Sequence, residues 1–199
     1  IEDSTRQVAN LEVQHIELAE LTRAIPFLPD ISGLFSIEAH TFDVDNFTFI
    51  SAEASIDELN YEKNRIGDVA LGMSWFPDGK GNHYLDSYLH HEGKDVLAAE
   101  GKINLVGKEE KLDITTQLHH FPLVILNSFI PDGMLTFQGD LDGELAITGN
   151  TTKPQINGGV ELDSVSIFSS QWGVNYYFDN KPLVVTKNQL TFDKFSIYT

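Results

Sequence analysis

The feature that most constrains this chain is a strict two-residue alternation from Leu135 to Thr148. Leu135, Phe137, Leu141, Leu145 and Ile147 fall on one side together with Gly139 and Gly143, while Thr136, Gln138, Asp140, Asp142, Glu144 and Thr148 fall on the other. Successive side chains of a β-strand point to opposite faces, so this pattern specifies a strand with one oily and one acidic face. The run exceeds the usual strand of about 5 to 6 residues. It therefore predicts either a long strand bent or bulged at its glycines or two strands joined by a tight turn at Asp142-Gly143.

The same alternation returns in Val69, Leu71, Met73 and Trp75, in Leu112, Ile114, Thr116 and Leu118, and at Val160 and Leu162. Shorter versions occur at Leu11 and Val13 and at Phe47 and Phe49. Turn-forming groups separate these runs: 77–82, 91–94, 107–110, 150–154 and 179–182, each rich in Gly, Asp, Asn or Pro. The predicted fold is all-β: an elongated, curled antiparallel or mixed sheet forming an open trough with an apolar interior. Fourteen residues are predicted to line it: Val69, Leu71, Met73, Trp75, Leu112, Ile114, Leu118, Leu135, Phe137, Leu141, Leu145, Ile147, Val160 and Leu162.

Helical pattern is confined to two short stretches. Leu18, Leu21 and Ile25 fall at spacings of three and four before Pro26, and Val124 to Phe129 precedes Pro131. Each leads into a similar tetrapeptide, Phe27-Leu28-Pro29-Asp30 and Phe129-Ile130-Pro131-Asp132, a spacing of 102 residues. No Pro- or Ser-rich linker divides the chain, so 1–199 reads as one continuous β unit, with possible repeats at 27–120 and 129–199.

Charge narrows the partners. Thirteen Lys and Arg against thirty Asp and Glu give a formal charge of −17, which disfavours nucleic acid and anionic bilayer surfaces. The chain has no Cys and hence no disulfide framework, thiolate metal site or Cys nucleophile. It has no run near the roughly 20 apolar residues of a spanning helix. It is expected to be a segment of a longer protein, any signal or anchor lying outside it.

No motif for catalysis stands out. The adjacent pairs His90-His91 and His119-His120 point to opposite faces of a regular strand and cannot chelate one ion, and no His-Glu-x-x-His is present. Asp43-Val44-Asp45-Asn46 and Asp140 to Glu144 are acidic enough for calcium but lack the Gly and Glu spacing of an EF-hand loop, and they read better as the solvated row of a strand. No nucleophile elbow, phosphate loop or dinucleotide fingerprint occurs, and none of the carboxylates is paired by its neighbours for glycoside hydrolysis. The expectation is a protein with no enzymatic activity, cofactor or metal. The aromatics around Trp75, Trp172 and Tyr176-Tyr177-Phe178 read first as core packing and second as a sugar platform, which leaves a closed β-sandwich carbohydrate-binding or adhesin module as the alternative.

One resemblance extends the reading. The order "G-x-L-x-I-x-G, then Pro, then x-G-x-V-x-L" stands at Gly143 to Gly149, Pro154 and Asn157 to Leu162, preceded by Phe129-Ile130-Pro131-Asp132-Gly133 and followed by Asn188 to Ile197. Over 121–199 this resembles the C-terminal repeats of the TamB family of translocation and assembly proteins and, more loosely, the AsmA-like group. The resemblance implies an elongated periplasmic β trough, anchored in the inner membrane through the full-length protein. It further implies an outer-membrane barrel of the BamA or TamA type as partner. Phospholipid or another acyl-chain ligand, or a nascent outer-membrane β-strand, would be the cargo.

Overall fold

The computed structural model describes residues 6–25, 29–44, 47–62, 64–105, 111–130 and 134–199. The turn group 107–110 and parts of both tetrapeptides lie outside these. Thirteen strands form one antiparallel sheet. They are β1 Arg6–Glu17, β2 Ile31–Val44, β3 Phe47–Tyr61, β4 Asn64–Pro77, β5 Asn82–His91, β6 Lys94–Asn104, β7 Lys111–Pro122, β8 Leu135–Asn150, β9 Lys153–Ser169, β10 Val174–Phe178, β11 Pro182–Thr186, β12 Gln189–Thr191 and β13 Ile197–Tyr198. Helix α1, Leu18–Ala24, joins β1 to β2, and a 3₁₀ helix, Leu123–Phe129, joins β7 to β8. β1 to β10 follow one another as a meander, and β9 shares its far edge between β10 and β11. The Leu135 pattern forms a single long strand, β8, and Asp142-Gly143 is not a turn. The sheet is not closed into a barrel, and it is not paired with a second sheet as in a sandwich.

Antiparallel register puts paired residues on the same face. One row can be followed across ten strands: Val13, Ile37, Ala54, Leu71, Leu89, Leu97, Leu118, Gly143, Val160 and Leu183. The adjacent row on the opposite face reads Glu12, Glu38, Glu53, Gly72, Tyr88, Ala98, Gln117, Glu144, Gly159 and Val184. Gly143 keeps the apolar row tight, since a Cβ there would lie 2.2 Å from the Gly159 carbonyl oxygen.

The curl has a repeated local cause. Four tetrapeptides, Val13-Gln14-His15-Ile16, Ile56-Asp57-Glu58-Leu59, Leu118-His119-His120-Phe121 and Leu162-Asp163-Ser164-Val165, each carry an irregularity in strand register. In each, the third residue has a left-handed backbone: φ is 55° at His15, 52° at Glu58, 46° at His120 and 54° at Ser164. The extra residue lets two apolar side chains three positions apart share the inner face, and it bends the strand. A side chain on the neighbouring segment accepts the amide N–H of each bulge residue. The acceptors are Ser36 Oγ at 3.1 Å, Asp68 Oδ1 at 2.8 Å, Asp142 Oδ1 at 2.8 Å and Asn180 Oδ1 at 3.0 Å. These bonds help to hold a conformation that non-glycine residues rarely adopt.

The bulges also define a correspondence between the two ends of the chain. His15 and His120 lie 105 residues apart, and Glu58 and Ser164 lie 106 apart. Thr22 Oγ1 donates to the Ile31 carbonyl at 3.3 Å, and in the equivalent place Asn127 Nδ2 donates to the Phe137 carbonyl at 3.0 Å. The structural correspondence thus starts at β1 and β7 and runs three to four residues longer than the spacing of the tetrapeptides.

The compact core sits at the C-terminal end. Leu118, Leu123, Val160, Leu162, Val165 and Leu183 are buried together, with Phe121, Phe137, Leu141, Leu145, Phe178 and Phe195 packed around them. Asn127 anchors the 3₁₀ helix into this core, since Phe137 N–H donates to its Oδ1 at 2.6 Å while its Nδ2 donates to the same residue's carbonyl. Asn127→Ala is expected to lower the unfolding free energy by about 2 to 4 kcal/mol, because two main-chain groups lose their partner. Urea denaturation followed by tryptophan fluorescence measures this.

At the C-terminus Asp179 ties the last strand down. Its carboxylate is held at about 2, below the ordinary 3.8, first by the Lys181 ammonium and then by the Tyr198 hydroxyl, with the Ser196 N–H adding to both. The folded form therefore favours the charged carboxylate. Its contribution is complete above about pH 4 and is lost as pH falls toward 2. Hydrogen-exchange protection factors at Ser196 to Tyr198 should fall over that window, and Asp179→Asn should remove them at neutral pH.

Candidate functional site

The inner face is the one continuous feature that the topology builds. Beside the row already traced, a second runs Leu11, Ala39, Ala52, Met73, Ser87, Ala99, Thr116, Leu145, Gly158 and Val185. A third runs Thr41, Ile50, Trp75, Leu85, Gly101, Ile114, Ile147 and Ile156. No charged side chain occurs in any of the three. All fourteen residues predicted to line a groove lie on this face: Trp75, Ile114 and Ile147 in the third row, Val69 and Leu112 beside the rows, and Leu135 and Phe137 beyond the Gly139 irregularity.

Their surroundings differ sharply along the sheet. Leu118, Val160 and Leu162 are buried at 9%, 8% and 7% exposure, and Phe137, Leu141 and Leu145 pack on them. By contrast Leu71 is 50% exposed and Met73 39%, while Leu11 in the row of Met73 is 52% exposed and Ile50 in the row of Trp75 38%. Val69, Trp75, Leu112, Ile114, Leu135 and Ile147 are half-buried. The groove therefore has a closed half over β7–β11, filled by its own side chains, and an open half over β1–β5.

The total area agrees with this. The accessible surface is 13062 Å², whereas a compact chain of this mass exposes about 9,400 Å². A surplus of that size fits a sheet whose apolar face has no second layer across much of its width.

Several lining residues escaped the sequence reading. Phe35 and Ile37 on β2, Ile50 and Ile56 on β3, Leu85 and Leu89 on β5, and Leu97 on β6 all belong to the inner face. Their alternation is diluted by Ala39, Ala52, Ala54, Ser87 and Ala99, which are small enough to hide a period of two. The apolar-polar-polar-apolar tetrapeptides were a second available signal.

Polar chemistry collects on the outer face. Tyr88 donates its hydroxyl to Glu53 at 2.6 Å, and that bond, with burial and the charges of Glu53 and Asp95, raises the phenol above its ordinary value. Tyr88 lies across Gly72, where a Cβ would meet its ring at 2.2 Å. His40 pairs with Glu38 and His120 with Asp142. Two histidines face inward. His91 Nε2 bonds the Ile66 carbonyl at 2.7 Å, while His83 Nδ1 is buried without a hydrogen-bond partner and its ring sits 5.1 Å from that of Trp75. Among the described residues no group of three metal-ligating side chains comes together, and no helix is long and apolar enough to cross a membrane. Trp172 stands 64% exposed in the β9–β10 turn, apart from the inward-facing Trp75.

No family model, curated protein or solved structure matches the chain. The geometry of the groove therefore carries the functional argument.

The two halves should respond differently to charge. Leu162→Asp places an unpaired carboxylate in the closed core and is expected to cost at least about 4 kcal/mol. Leu71→Asp, at a half-exposed position, is expected to cost under about 1 kcal/mol. Equilibrium denaturation of both variants tests the division, and equal losses would mean that the open half is a packed core.

Proposed function

We propose that this chain is a non-catalytic, periplasmic segment of a TamB-like protein that bridges two membranes, and that its groove accommodates the acyl chains of phospholipids. The observation that carries the reading is the uncharged inner face running across ten strands and left uncovered over β1–β5. Burying a methylene is worth about 0.8 kcal/mol, so partial insertion of a tail is already favourable. A wall with so few polar groups offers little to fix a tail in one place, which suits passage along the groove better than storage. The acidic outer row keeps such an oily object apart from its copies and from anionic headgroup surfaces.

In the full-length protein this segment would be tethered to the inner membrane and would hand its cargo to an outer-membrane barrel of the BamA or TamA type. The same surfaces could serve outer-membrane protein assembly. β1 is the terminal strand of the sheet, and an unpaired edge can receive an incoming β-strand while the groove shelters its apolar side chains.

Native mass spectrometry of the protein expressed in a diderm host tests the lipid reading. Phospholipid adducts are expected, and Leu71→Asp combined with Met73→Asp should remove them while circular dichroism is unchanged. A protein that carries no lipid and takes up no fatty acid, but binds glycans through Trp172, would replace this reading with the carbohydrate-binding one.

A further inference from the structure

We propose that the 3₁₀ helix is a latch across the groove, rooted on β8 and caught on the β3–β4 turn, and that its release admits an acyl chain into the closed half. This rests on the groove reading above. The root is firm. Leu123 is 5% exposed within the core cluster, and Asn127 holds the main chain of Phe137 through two hydrogen bonds of 3.0 and 2.6 Å.

The catch is slight by comparison. It consists of Asn64 Nδ2 donating to the Asn127 carbonyl at 3.5 Å, the outer limit for such a bond, and of the Tyr61 and Phe129 rings at 6.1 Å. Phe129 is 71% exposed, so water competes for its contact. A segment held strongly on one side and weakly on the other swings about its firm side when it moves.

The internal correspondence supplies a comparison within the same molecule. Helix α1 occupies the equivalent connection and carries equivalent side chains, Leu18, Leu21 and Ile25 for Leu123, Leu126 and Ile130. It packs on β2, bonded through Thr22 to Ile31. The strands beside α1 belong to the open half, and those beside the 3₁₀ helix to the closed half. Among the described residues, Leu123 is the one residue of either connector in the core cluster, where it lies with Leu118, Val160 and Leu162. With Leu123 and Asn127 held on β8, swinging the Phe129 end of the 3₁₀ helix off β4 would open the groove between the two halves, giving a tail a path from Leu71 through Leu97 toward Leu118.

The chain has no cysteine, so Tyr61→Cys with Phe129→Cys creates a single addressable pair that a short bis-maleimide can lock. Uptake of cis-parinaric acid, followed by its fluorescence, is expected in two phases: a fast one for the open half and a slow one gated by the latch. Locking should abolish the slow phase and leave the fast one. Phe129→Ala, which removes the aromatic part of the catch, should speed the slow phase about threefold to tenfold and lower hydrogen-exchange protection over 123–130. Equal amounts and rates of uptake by locked and unlocked protein would overturn the latch while leaving the groove reading intact. Absence of uptake by both would overturn the two together.

Discussion

A β-sheet with one apolar face must cover that face or leave it to something else, and the architecture of this chain follows from how little it has for the purpose. Among the described residues, two seven-residue helical connectors and a few short C-terminal strands are the only elements outside the long meander. Curling the sheet on itself is the remaining way to remove oil from water. The curl succeeds over β7–β11, where the 3₁₀ helix and the strands after β9 meet the inner face, and it stops short over β1–β5. Stability and openness are thus separated along one sheet: the core at one end holds the fold, and the rows at the other are left uncovered.

The four bulges make this division possible. A regular strand would send Ile16, Leu59, Phe121 and Val165 to the outer face, each beginning three residues after an inward-facing residue. The inserted residue returns them to the inner face, and the amides left out of the ladder are satisfied by donating to the side-chain oxygens of Ser36, Asp68, Asp142 and Asn180. The price is a left-handed backbone at four non-glycine positions. Because the bulges recur at equivalent strands of the two ends, the bend recurs with them, and the sheet becomes a trough instead of a flat ribbon. The same bulge line ties the helical connectors to the groove, since α1 and the 3₁₀ helix begin just after the bulges of β1 and β7.

Much of the fold was legible without coordinates. Strand periodicity at Leu135–Thr148 and Val69–Trp75 stated that the chain is β and that one face is oily, and the turn groups at 77–82, 91–94 and 150–154 placed three of the hairpins. The resemblance of 121–199 to TamB repeats pointed to the same shape. The residues singled out from the sequence share one face of the sheet, but they cover it unevenly: β8 and β4 announced themselves with Leu, Ile and Trp, whereas β2, β3 and β6 were quieter because Ala, Gly and Ser occupy their inward positions. The tetrapeptides were invisible to a search for period two because they break it.

The sequence by itself determined which side of β1, β4, β7, β8 and β9 is apolar, since that follows from the alternation of residue types and needs no knowledge of neighbours; on β3 it pointed the other way, because Phe47 and Phe49 lie on the face opposite Ile50, Ala52 and Ala54. It also determined the strong negative charge of the outside. Only the tertiary structure decided which apolar residues are core and which are wall. Leu162 and Leu71 stand in equally plain alternating runs, yet one is 7% exposed and the other 50%. Burial depends on what the curl brings across from the far side, and here that is set by Leu123, Asn127 and the strands after β9, all remote in sequence from the leucine at position 71.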